Sequence, residues 1–99
     1  EIEPEAMFNL GLLMLRNNSK TARVEAVNWF KRAAKLGNTL AMVNLGVAFY
    51  KGEGGVQQDL TKALKWLKRA GSADAMHMLA NILVEVGSNR DALLWLGKA

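Results

Sequence analysis

Ala6-Met7-Phe8-Asn9-Leu10-Gly11 returns as Ala41-Met42-Val43-Asn44-Leu45-Gly46 and, more faintly, as Ala75-Met76-His77-Met78-Leu79-Ala80. A second block follows each time: Ala26 to Ala33 around Trp29, Ala63 to Ala70 around Trp66, and Ala92 to Ala99 around Trp95. The first blocks recur at offsets of 35 and 34 residues. Two helix-patterned blocks joined by a short connection predict a helix–loop–helix unit. One such unit cannot bury both of its apolar faces, so neighbouring units must stack. The expected fold class is therefore all-α: a solenoid of three helical hairpins, with units near 4–37, 38–71 and 72–99 in a single array.

Local signals place the helices near 4–16, 21–36, 39–51, 59–70, 73–86 and 89–98. Pro4 suits a first helical turn, and no later proline interrupts the chain. Asp59 and Ser88 stand ready to cap second helices, and Ser88 with Asp91 has capping-box spacing. Gly37 stops one helix and Asn38 caps the next. Gly11, Gly46 and Ala80 let a first helix come close to its partner, where Ala26, Ala63 and Ala92 face them. Trp29, Trp66 and Trp95 are expected to fill the space between units, with Met7, Met42 and Met76 as core filler.

The middle unit carries Ala41, Leu45-Gly46, Phe49, Gly52, Gly54, Val56, Asp59, Lys62-Ala63, Trp66, Lys68 and Ala70. This run resembles the Sel1-like repeat family, a relative of the tetratricopeptide repeat, and the resemblance extends over nearly the whole chain. Gly55 is one residue extra, Asn17-Asn18-Ser19 replaces the glycines in unit one, and unit three has a shortened loop. The resemblance implies a right-handed α/α superhelix that acts as an adaptor or scaffold, and an array that can belong to a longer solenoid. Some relatives are cysteine-rich secreted proteins with hydrolase activity. With no cysteine, this chain falls outside that subclass.

Turning the blocks into helical faces separates two kinds of surface. On the second helices, the sector opposite the alanines and tryptophans holds Asn28, Lys31, Arg32 and Lys35, then Lys62, Lys65, Lys68 and Arg69. Residues 7–70 carry eleven bases against three acids, a local excess of eight positive charges. On the first helices the inner face reads Ala6, Leu10, Met14 and Ala41, Leu45, Phe49. Beside it runs a second apolar stripe of Phe8, Leu12, Leu15, then Val43, Val47, Tyr50, then His77, Asn81, Val84. The resemblance implies that first helices line a concave groove, so this stripe is the expected partner-binding surface, with Tyr50 as a rim anchor. Tetratricopeptide domains that grip a terminal carboxylate place basic and asparagine side chains at corresponding sites. Phe8, Leu12 and Val47 offer no such donors. Asn9 and Asn44 recur beside the stripe, where they face either a partner's backbone or a loop of their own unit. Leu94 lies in a polar sector near the last residue, which implies a contact covered by further repeats or another subunit.

No catalytic chemistry emerges. Gly52-Glu53-Gly54-Gly55 lacks the strand and the Gly-Lys-Ser/Thr of a phosphate loop, so it reads as a turn. His77 is the single histidine, without a nucleophile or further ligands at fixed spacing. No metal, no cofactor and no enzymatic activity are assigned, and no run approaches the ~20 apolar residues of a membrane helix. The expected function is a protein-interaction scaffold whose groove takes a partner helix or extended apolar segment. The alternative is a subunit that meets RNA or an acidic surface through its basic convex helices. Circular dichroism should show well over half of the residues helical, and a strand-dominated spectrum would overturn the architecture.

Overall fold

The computed structural model describes residues 3–87, which form five helices. These are α1 (Pro4–Leu15), α2 (Lys20–Lys35), α3 (Thr39–Lys51), α4 (Leu60–Ala70) and α5 (Ala73–Gly87). Among the described residues there is no strand. The expected sixth helix at 89–98, with Ser88, Ala92, Leu94 and Trp95, lies outside the described residues.

Side-chain caps set four of the helix starts. Ser19 Oγ accepts the Ala22 N–H at 3.0 Å, which starts α2 one residue earlier than the sequence pattern suggests. Asn38 Oδ1 accepts from Ala41 N–H at 2.8 Å, and Asp59 Oδ1 from Lys62 N–H at 3.0 Å. Ser72 Oγ accepts from Ala75 N–H at 3.2 Å. Each bond satisfies an orphan donor of the first turn. Asn18 has a φ of 50°, so in unit one an asparagine takes the left-handed position that glycines fill in unit two.

Each helix packs mainly on its neighbours in the chain: α1 on α2, α2 on α3, α3 on α4, α4 on α5. The close approaches expected at Gly11 and Gly46 occur. A Cβ added to Gly11 would lie 2.5 Å from the Phe30 ring. One added to Gly46 would lie 2.9 Å from Leu67 Cγ and 3.2 Å from the Ala63 carbonyl oxygen. One buried cluster runs from Met7, Phe8, Ala26 and Phe30 through Ala34 and Met42 to Leu45, Phe49 and Ala63, and so joins units one and two. A second gathers Leu67, Ala75, Ile82 and Val86 and ties α5 to α4.

The loop of unit two reaches back across the unit boundary. Gly54, at φ 68°, lies against Val27 and the Arg23 carbonyl of α2, so a side chain there would meet both strain and steric contact. The extra residue, Gly55, sits beside Val24. Val56 packs on the first cluster, and the Asp59 N–H donates to the Phe49 carbonyl at 2.9 Å.

Four expectations are corrected. The inner face of α1 is Met7, Phe8 and Gly11, while Ala6 is exposed and Leu10 and Met14 are half-buried, because Gly11 must face Phe30. In α3, Ala41, Leu45 and Phe49 are buried as expected. Trp29 and Trp66 are only half-buried at the cluster edge, and the large side chains buried completely are Leu45, Leu67 and Ile82. Met7 and Met42 are core residues, but Met76 is 48% exposed. Ala80 is also exposed.

Leu67→Ala should therefore lower stability by ~3–4 kcal/mol in urea unfolding, and by more than Trp66→Ala, whose ring is already half in water. Gly46→Val should lose ~1–3 kcal/mol by overpacking against Leu67, despite leaving a helix glycine behind. A Trp66→Ala loss larger than that of Leu67→Ala would mean that the tryptophan holds the units together.

Candidate functional site

The stripe expected along the first helices divides in the structure. Phe8 is removed from it: at 9% exposure it is part of the core, its ring centroid 5.7 Å from that of Phe30. Rotating α1 to seat Gly11 on Phe30 turns Phe8 inward with it. Val43 and Tyr50 are half-buried and pack on the cluster between α3, α4 and α5, and Tyr50 touches the first cluster too. Tyr50 is thus a bridge between core clusters rather than a free anchor at a rim. Leu12 and Leu15 are each 40% exposed and, at i and i+3, share one side of α1. On α5, His77, Asn81 and Val84 are all exposed.

Of the remaining members, Leu15 and Val47 meet at a cleft of about 300 Å³ where α1 and α3, which make no substantial contact, part over α2. Leu15 closes one wall, and Val47 with Asn44 the other. Val27, Phe30 and Ala48 line it as well, so its interior is largely apolar. Asn44 therefore faces this cleft, while Asn9 stays exposed.

Two polar members were not anticipated. Arg23 comes from α2, and Glu53 from the loop that folds back over it. The Arg23 guanidinium donates to Asn18 Oδ1 at 2.6 Å, which holds it at the end of α2 nearest the α1–α2 turn. Its charge is visible in the sequence, but its place beside Glu53 depends on Gly54 lying on α2. Most of the large hydrophobic side chains left exposed are on first helices, Leu12, Leu13 and Leu15 on α1, Leu40 on α3, and Met76, Leu83 and Val84 on α5, while Val24 and Leu36 are exposed on α2 and at its end.

The second-helix side differs in kind. Lys31 and Lys35 of α2 and Lys62, Lys65 and Arg69 of α4 line a cleft of about 290 Å³ over Leu45, Phe49 and Trp66. Arg69 lies over the Trp66 ring at 5.3 Å and Lys62 over Phe49 at 5.5 Å. Arg32 covers Trp29 at 4.9 Å, so the Trp–Arg pair repeats in both units. Lys68 is exposed on the same helix. No group of acidic or histidine side chains among the described residues could hold a metal ion, and no described helix is long and apolar enough to cross a membrane.

A family model described as Sel1 repeat matches residues 4–38 and 39–74. Among solved structures, the chain is similar to c5321, a protective antigen present in uropathogenic Escherichia coli strains and displaying an SLR fold. The identity is 35% and the TM-score 0.75, over 81% of this chain and 18% of that one. It is also similar to a Sel1 repeat protein from Oxalobacter formigenes, at 30% identity and TM-score 0.71, over 83% of this chain and 35% of that one. The chain thus spans well under half the length of either. No curated protein matches it.

If Tyr50 bridges the two clusters, Tyr50→Ala should cost ~2 kcal/mol or more in stability, while Tyr50→Phe, which keeps the ring, should melt close to the parent. An unchanged melting temperature for Tyr50→Ala would restore it as a free surface anchor.

Proposed function

This chain belongs to the Sel1 repeat family, and from that premise we propose that it is a protein-interaction module, a scaffold or adaptor that binds a helix or extended apolar segment of a partner on its first-helix side. The supporting observation is the apolar cleft between Leu15 and Val47, lined also by Val27, Phe30 and Ala48 and continued by the exposed Leu12. Burying apolar surface there gains roughly 25 cal/mol per Å², with no rearrangement of the stacked helices. A cleft of about 300 Å³ suits one or two apolar anchors of a partner segment. Asn44 adds an amide that can bond an incoming backbone. Arg23 and Glu53 provide charges of opposite sign at the same opening, which would orient the segment. His77, Asn81 and Val84 would extend the surface along α5.

Cross-linking and pull-down from the native source would supply the partner, whose affinity is then compared for two variants in one assay. Val47→Asp should weaken binding by ~2–4 kcal/mol, because a carboxylate would be buried opposite apolar groups. Lys65→Glu, on the opposite side, should change it little, and raising the salt should hardly matter. If Lys65→Glu abolishes binding while a folded Val47→Asp protein binds normally, the basic helices carry the function and the apolar cleft does not.

A further inference from the structure

We propose that the cleft between α2 and α4 is a second binding site, which takes a short Asp/Glu-rich segment of a partner protein. It stands apart from the apolar cleft and does not depend on it. Lys31, Lys35, Lys62, Lys65 and Arg69 converge on one opening, and no carboxylate lines it. Asp59, which lines a neighbouring pocket with Lys31, Phe49 and Lys62, accepts the Lys62 N–H as the cap of α4.

Stability alone does not explain this arrangement. Lys62–Lys65, Lys65–Arg69 and Lys31–Lys35 are like-charged neighbours at helical spacings of three and four, where a glutamate would stabilise and a lysine repels. The helix dipole favours Lys35 and Arg69, which sit in last turns. It opposes Lys62, which stands in the first turn of α4. An anionic ligand offsets these repulsions with attractions of its own. The floor of Leu45, Phe49 and Trp66 keeps water off one side of the cleft, which strengthens charge pairing above it.

Carboxylates fit better than a nucleic acid. Single-stranded nucleic acids bind by stacking bases on open aromatic faces. Here the Phe49 and Trp66 rings already lie under the chain's own Lys62 and Arg69. The one arginine of the cleft, whose guanidinium plane could stack on a base, is already engaged with Trp66. At about 290 Å³ the cleft admits a few side chains, not a tracked backbone.

The test is fluorescence anisotropy of the 99-residue chain with labelled oligoglutamate, using oligouridylate and oligoglutamine of equal length as comparisons. The parent should bind oligoglutamate saturably at low salt, and more tightly than either comparison. Lys35→Glu with Lys65→Glu, both exposed, should weaken it about tenfold, and the milder Lys35→Gln with Lys65→Gln about threefold. Arg16→Glu with Lys51→Glu, an equal change of net charge away from the cleft, should weaken it less than about twofold. The proposal is overturned by any of three results: no saturable oligoglutamate binding, equal weakening by the remote pair, or tighter binding of oligouridylate.

Discussion

The distance between the two helices of a pair governs everything else in this molecule. Gly11 leaves room for the Phe30 ring, and Gly46 for Leu67 and the Ala63 carbonyl, so both hairpins close where a side chain would hold them apart. Close approach seats a large side chain of the second helix directly on the backbone of the first. It also sets the rotation of the first helix about its axis, because the glycine must point at that side chain. Which of the remaining positions are core and which are surface follows from that rotation.

Once each hairpin is closed, small residues carry the stacking. Ala33, Ala34, Ala41 and Ala63 are fully buried between helices, where larger groups would push the units apart. The 52–59 connection adds a second tie, with Gly54 on α2 and Val56 in the first cluster. The array is held by contacts between chain neighbours, as a one-dimensional stack must be. Its long faces are thereby left free of structural duty.

Those two faces have been filled with opposite chemistry. The first-helix side keeps Leu12, Leu15 and Val84 in water, at a cost in solvation that internal packing does not recover. The second-helix side keeps lysines and arginines together with their aromatic neighbours covered. On the functions proposed above, the first kind of surface would bind by removing apolar area from water, with little dependence on ions. The second would bind through charge, screened over about 8 Å at physiological salt. One stack would then offer two independent modes of attachment.

Helix ends and helix character were legible because they are decided within about four residues. Asn38 and Asp59 cap, Gly37 follows α2 at a φ of 98°, and the cations at Lys62, Lys65 and Arg69 mark an outward sector. The repeat itself announced stacking. The sequence by itself determined the helical hairpins, their order and the basic character of the second helices, since periodicity and capping are local properties of the chain. Only the tertiary structure decided which of two adjacent apolar stripes would turn inward. Phe8 and Leu12 are equally apolar and lie on one stripe, yet the first is core and the second surface. Hydrophobicity has no direction, and the choice was made by the fit of Gly11 to a ring on the next helix. The same holds for Arg23 and Glu53, which share a cleft because Gly54 rests on α2, a contact between shapes that no pattern in the chain records.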